Sequence, residues 1–258
     1  MFKKYIFYSI CLFPNLFHKL WFLLPKDYRR DHLKRALLKI VHNGDTCVEV
    51  GANVGQYTPH LSYLAGTSGR VIAFEPIEEN LKELRQRITK RQIFDTIKVE
   101  PVALGDRTGK TKIYLPENAG AMASLARHDN IHWQPFKHIK EMEIPLETLD
   151  NYTSAKAFSR LDIIKIDVEG AECLFFKGAM QSIKKFHPVI VIEILEIMNK
   201  IFNWTPQQTF ELLKTEGYNY VYQLSHDGNG IKRIISIDQA NMNSTLDDFI
   251  FSTKPIGF

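Results

Sequence analysis

The sequence of 258 residues predicts one α/β domain, a mostly parallel sheet flanked by helices. Three observations carry that expectation. The run Thr46 to Val50 is short and apolar, then meets Gly51 and Gly55 and a helix-spaced segment, the opening half of a nucleotide-binding βαβ unit. Two later apolar runs, Ile163 to Val168 and Pro188 to Ile192, lead into Asp167, Glu169 and Glu193. Open parallel sheets bind ligands beyond the carboxyl ends of such strands.

Taken in order, the chain opens on an apolar stretch from Tyr5 to Leu24. Pro14, Asn15, His18 and Lys19 interrupt it, so no run reaches the ~18 residues of a membrane span. No small-residue cleavage site follows, which argues against a signal peptide. Ile6, Ile10, Phe13, Phe17, Leu20 and Leu24 form one apolar stripe at gaps of four and three, and Pro14 should kink it. The stripe packs on the main domain or a second subunit, or it lies in a membrane interface with Lys3, Lys4, Arg29 and Arg30. The boundary falls near residue 28, giving a helical extension over 1–28 and a single domain over 29–258. Asp31 to Val41 then reads as a helix on Leu33, Ala36, Leu37 and Ile40, ended by Asn43-Gly44-Asp45.

The first strand exits into Gly51-Ala52-Asn53-Val54-Gly55. Backbone N–H groups at the start of the following helix are expected to point at a ligand, and a larger side chain would block its approach. Glu49 narrows the ligand. A carboxylate at the strand end repels a pyrophosphate but suits S-adenosylmethionine, which carries an ammonium and a sulfonium and no phosphate. The spacing also departs from G-x-G-x-x-G, because Asn53 stands at the second glycine. The bland alternative is a tight turn beside a solvated acid.

Arg70 to Phe74 is the second strand. Glu75 follows twenty residues after Gly55, where such units place an acid on ribose hydroxyls, and its carboxylate can accept both vicinal hydroxyls. Glu78 to Ile88 reads as an amphipathic helix. Ile97 to Leu104 reads as the third strand, with small residues at Ala103 and Gly105 where an adenine ring would lie. Lys110 to Leu115 is an added strand, and Pro116 to Gln134, with His128, His132 and Trp133, is a binding loop or lid by its length, or for each histidine a surface loop without chemistry.

Ile163 to Val168 holds Lys165 in a strand interior. A lysine is almost never buried without a partner, and Asp167 and Glu169 lie on its face. A structural salt bridge is the competing account. Asp167 and Glu193 should flank one cleft, as a base for a substrate hydroxyl or a site for a divalent ion. The absence of a nearby histidine in sequence argues against the metal. Met198 to Gly217 reads as helical, and Tyr218 to Leu224 with Asp248 to Ser252 as the closing antiparallel pair.

Composition excludes little but points one way. Hydrophobic residues make up 45% and charged residues 24%, as in soluble globular domains. A net charge of +4, with bases and acids mixed, gives no nucleic-acid-binding stripe. Cys11, Cys47 and Cys173 lack metal spacing and look like reduced core thiols, which suggests a cytoplasmic protein, peripheral on a membrane's inner face if residues 1–28 bind lipid. Sequons at Asn151, Asn203 and Asn243 are read as chance.

Val48 to Gly55, Phe74-Glu75-Pro76, Ala103-Leu104-Gly105 and Ile164 to Glu172 together resemble the FkbM family of S-adenosylmethionine-dependent methyltransferases. The resemblance spans about Asp45 to Glu193. It implies a seven-stranded, mostly parallel Rossmann-like methyltransferase sheet and O-methylation, often of a sugar or polyketide hydroxyl. By the same resemblance Glu49, Gly51, Asn53 and Gly55 line the methionyl part, Glu75 takes the ribose, and Lys165, Asp167 and Glu169 are catalytic candidates. Asp167 is the expected general base, with Lys165 setting its orientation, and no metal is expected. The acceptor is expected to be a glycan or other small molecule rather than nucleic acid. The rival is a non-catalytic membrane- or partner-binding protein that keeps the fold. An NAD-dependent oxidoreductase is disfavoured by Glu49.

Overall fold

The computed structural model describes residues 31–91, 95–117, 120–128, 133, 135–224, 231–234 and 247–257. The apolar stripe before residue 28, Cys11 and His132 lie outside them. No helix among the described residues is long and apolar enough to cross a membrane.

Helix α1 (His32–Ile40) begins where the Asp31 carboxylate accepts the Lys34 N–H at 2.9 Å, an N-cap that satisfies one orphan donor of the first turn. Its buried face holds Leu33, Ala36, Leu37 and Ile40, as the spacing predicts. Strand β1 (Thr46–Val50) is buried at every position, which marks a central parallel strand covered on both faces. Helix α2 (Thr58–Ala65) follows, with Pro59 in its first turn, where a missing N–H costs nothing. Next come β2 (Arg70–Phe74), α3 (Glu78–Arg91) and β3 (Ile97–Glu100).

The second half adds α4 (Leu149–Ala155), β7 (Ile163–Ile166), α5 (Glu172–Lys177), α6 (Met180–Phe186), β8 (Val189–Ile194), α7 (Glu196–Asn199), α8 (Pro206–Thr215), β9 (Tyr220–Leu224), β10 (Ile231–Ile234) and β11 (Asp247–Ser252). The main sheet runs β10-β9-β11-β8-β7-β1-β2-β3. Its strands β3, β2, β1, β7 and β8 are parallel, β11 lies antiparallel between β8 and β9, and β10 pairs antiparallel with β9 at the edge. The seven expected strands are present, and β10 is an addition. Chain order reverses between β1 and β7, so a crevice opens at their carboxyl ends.

Alternate residues feed two cores. Val48, Val50, Ile164, Ile166 and Ile192 pack with Phe175, Phe176, Ile183 and Leu213 from α5, α6 and α8. Cys47, Ile163, Val191 and Ile250 pack with Leu33, Leu37, Leu61 and Leu64 from α1 and α2. Both described cysteines are buried thiols.

Three sequence expectations change. The third strand ends at Glu100, because Pro101 cannot donate to a ladder, and β4 (Ala103–Leu104) joins a separate sheet. That sheet, ordered β4-β6-β5, pairs β5 (Gly109–Pro116) antiparallel with β6 (Ile139–Glu147). The alternation of Met142, Ile144 and Leu146 with acids and Pro145 was the signal for β6. The helix expected over Met198 to Gly217 breaks at Asn203, which is left-handed at φ +52°, and restarts in a capping box between Thr205 and Gln208.

Gly51 sets the close approach of β1 to β7. Its φ is +80°, and a Cβ there would lie 1.9 Å from the Asp167 carbonyl oxygen. Gly51→Ala should therefore destabilise the fold by at least about 2 kcal/mol, the range of strained or overpacked backbone sites. A drop in the urea midpoint checks this.

Candidate active site

A cavity of about 450 Å³ opens where β1, β2, β7 and β8 end. Small-molecule sites occupy roughly 300–1,000 Å³. Gly51, Asn53, Glu75, Asn80 and Ala103 line one end, and Asp167, Glu169, Glu193, Leu195 and Met198 line the other. The second sheet adds Ala103, Leu104 and Ile113 to the wall, and the stretch that follows β5 supplies a roof through Gly120, Ala121, Met122, Ala123 and Leu125.

At the first end the turn is consumed internally. The N–H groups of Gly51 and Ala52 both donate to the Phe74 carbonyl, at 3.1 and 3.0 Å, and that of Gly55 donates to Ala52 at 2.9 Å. The Asn53 N–H donates to Glu75 Oε2 at 2.8 Å. These four donors therefore do not point at a ligand, contrary to the expectation from the glycine spacing. The turn offers no phosphate cradle at these positions. Gly55, at φ +80°, is needed because a Cβ would come within 2.5 Å of Leu84 on α3.

Glu75 is nearly buried, and its Oε1 also accepts from the Ile77 N–H at 2.9 Å and the Asn80 amide at 3.2 Å. Burial raises its pKa, against the pull of those donors. A carboxylate has about four acceptor positions, so one remains on Oε2.

Glu49 lies behind the cavity wall rather than in it. The Thr58 hydroxyl donates to it at 2.5 Å, and Lys165 sits opposite on the neighbouring strand. Burial pushes Glu49 up to about 7, partly offset by Lys165 and Thr58. Lys165 is only 3% exposed, with Nζ 2.9 Å from Asp167 Oδ2 and 4.7 Å from the Tyr57 ring centroid. Burial acts to lower its pKa, but the charges of Asp167 and Glu49 outweigh it, and the net shift is upward. Lys165 is a held cation.

Asp167 is at the far end of that ion pair, one-third exposed at 33% and in the cavity wall. Strand β7 ends at Ile166, so Glu169 does not continue its face but sits in the next turn at φ +52°. Oxygens of Asp167, Glu169 and Glu193 nevertheless lie within 4.8 Å of one another. Burial, then the Asp167 charge, pushes Glu169 up to about 8. Burial, with Asp167 and Asp248, pushes Glu193 up to about 9. Both therefore hold protons at neutral pH, and a divalent ion here would have to displace them and compete with Lys165. Asp248 faces Glu193 across the β8–β11 ladder.

Sequence reading missed Asn80, Asp248 and Ser124. Asn80 follows Glu75 by five residues inside a helix, and Ser124 acts only through the folded roof. Glu172 was read merely as the end of the motif. It is buried, accepts from the Gly170 N–H at 3.2 Å and the Asn199 amide, and ties the Asp167 turn to α7. His128, read as part of a binding loop or a surface loop, is buried.

Known proteins supply the comparison. A family model described as the methyltransferase FkbM domain matches residues 49–222. Among curated proteins none matches the sequence. Among solved structures, a provisionally assigned rRNA methylase from Clostridium thermocellum is 12% identical, with 87% of this chain and 95% of that one covered and a TM-score of 0.50. A methyltransferase FkbM from Methylobacillus flagellatus KT is 18% identical over 80% of this chain, which spans 43% of that one, with a TM-score of 0.48. An S-adenosylmethionine-dependent O-methyltransferase from Thermotoga maritima is 13% identical, with coverages of 88% and 66% and a TM-score of 0.42. At such identities the first of these shows the fold, a Rossmann-like methyltransferase sheet. The family match covers more than half of the chain and brings S-adenosylmethionine as the expected cofactor. The chain belongs to the FkbM methyltransferase family.

Proposed function

We propose that this protein methylates a hydroxyl of a sugar, a glycan or a related small molecule, with Asp167 as general base. The observation that carries the reading is the Lys165–Asp167 pair, a buried ammonium holding a partly exposed carboxylate at the mouth of the crevice, 2.9 Å apart. S-adenosylmethionine, when bound, supplies an electrophilic methyl on a cationic sulfur. The residues present fit it. Gly51 and Gly55 keep the turn bare, Glu75 keeps one acceptor position for a ribose hydroxyl, and among the described residues the cavity wall holds no cation to oppose the ammonium and sulfonium. The sequence pattern suggests that Glu75 takes both vicinal hydroxyls, but its three protein donors leave room for one. Glu49 acts from behind the wall, as a neighbour of Lys165 rather than a contact.

Alignment of nucleophile, methyl and sulfur is the main task of the site. Asp167 is placed to accept the hydroxyl proton as the new bond forms, which typically adds 10²–10⁴-fold. Lys165 fixes the carboxylate's direction. Glu169 and Glu193, protonated at neutral pH, can donate hydrogen bonds to acceptor oxygens. Among the described residues the cavity wall holds no lysine, arginine or histidine, and it holds four carboxyl groups, Glu75, Asp167, Glu169 and Glu193. With no cation in that wall to pair with a phosphate, an uncharged acceptor is favoured over a phosphate-bearing one such as RNA.

Transfer of labelled methyl to a panel of sugars and glycosides tests the reaction. Asp167→Asn should lower turnover by about 10²–10⁴-fold while cofactor affinity stays within a few-fold, and unchanged turnover removes Asp167 from the base role. Glu75→Ala should weaken cofactor binding about tenfold or more, read by calorimetry, as expected for losing a charged acceptor. Stability should fall as pH rises. Glu169 and Glu193 titrate at about 8 and about 9 when folded, above the carboxylate value of roughly 4.3 in an unfolded chain. The folded state thus binds more protons between those limits, so stability is full below the unfolded pKa and is lost through pH 8 to 9. Urea midpoints at pH 6 and pH 9 read the fall, which Glu193→Gln should reduce.

A further inference from the structure

Ser124 joins the roof of the cavity to the turn that carries Glu169. Its backbone bridges strand β5, donating to the Tyr114 carbonyl at 3.0 Å and accepting the Tyr114 N–H at 2.9 Å. Its hydroxyl reaches the other way, donating to the Glu169 carbonyl at 2.8 Å. His128 Nε2 lies 2.8 Å from the same hydroxyl oxygen. All of this is sealed from water: Ser124 is 1% exposed and His128 2%. The His128 ring also packs on the buried Trp133 ring, with centroids 5.0 Å apart.

Proton bookkeeping settles the direction of this chain. A serine hydroxyl has one proton, and a carbonyl oxygen can only accept, so that proton goes to Glu169. The hydroxyl oxygen is then the acceptor for His128, whose Nε2 must carry a hydrogen. The imidazole locks the serine rotor, and the serine locks a left-handed, non-glycine turn whose side chain stands among the acids of the crevice.

We infer that Ser124 and His128 form a positioning clamp, which holds the roof down on the bound cofactor and sets Glu169 in place. The inference rests on the assignment of the crevice to S-adenosylmethionine and its product. It predicts a kinetic effect more than a thermodynamic one. With the clamp cut, the roof lifts more often, so the product leaves faster while its entry is unchanged.

The test uses the full chain and S-adenosylhomocysteine as the probe, with association and dissociation rates measured by stopped flow. Ser124→Ala and His128→Leu should each speed dissociation roughly tenfold, the scale of one buried hydrogen bond, with association unchanged. His128→Gln, whose amide can still donate, should restore near-wild-type dissociation. Wild-type dissociation in both Ser124→Ala and His128→Leu overturns the clamp. So does equal loss in His128→Gln and His128→Leu, which would make the role one of packing. Should Ser124→Ala fail to fold, the two His128 variants decide alone. Independently of any ligand, nitrogen-15 shifts should show His128 protonated at Nε2, and a tautomer bearing its hydrogen only at Nδ1 sinks the proposal. Failure of wild-type protein to bind S-adenosylhomocysteine would instead count against the cofactor assignment, and the tautomer would still test the clamp.

Discussion

The contact between the Gly51 backbone and the Asp167 carbonyl is the constraint on which the site depends. Two neighbouring parallel strands leave the sheet at this point, and any side chain at Gly51 would collide with the exit of the other. Because the exits touch, the turn after β1 and the turn after β7 share one wall of the crevice. Glu75 and Asp167 are then brought to the same cavity although they stand on opposite sides of the switch in strand order.

Charge is arranged against that frame with an economy forced by burial. Lys165 is enclosed by sheet, by the Tyr57 ring and by carboxylates on β1 and at the exit of β7. Buried ion pairs contribute little net stability, since desolvation offsets their attraction. Their value lies in geometry: a lysine with one charged partner at 2.9 Å leaves that carboxylate few orientations. The neighbouring acids respond by keeping protons, so a crowd of carboxyl groups carries less charge than its formula suggests. Two roles, acceptor and donor, thereby come from one residue type.

Much of this was legible in the sequence, for physical reasons that can be named. Central parallel strands are apolar on both faces, so β1, β2, β7 and β8 stand out as short runs, and the acids that follow them mark the ligand edge. Gly51 and Glu75 are legible because their spacing reflects a fixed crossover. The placement of Glu49 was not legible: strand alternation puts it on the α1 and α2 face, and only the fold shows that Thr58 and Lys165 enclose it there. The donors of the glycine turn were misread, since spacing cannot reveal that Phe74 and Glu75 accept them first. The roof was hardly legible at all. Its strands pair across more than twenty residues of sequence, and the hydroxyl of Ser124 has meaning only against a turn forty-five residues away.

The roof also says how such a domain can diversify. It is spliced between the third and fourth strands of the main sheet, and its outward face is held by solvated pairs such as Lys110–Glu143 and Lys112–Glu141. Its attachments to the body include the Asn151 amide, which donates to the Thr108 hydroxyl, and the Ser124 hydroxyl, which donates to the Glu169 carbonyl. The end of the crevice lined by Gly51, Asn53 and Glu75 takes these residues from turns that leave the main sheet, and Ala103 from the second sheet. A different roof on the same sheet would therefore change which molecule is welcomed, and with it how long that molecule stays.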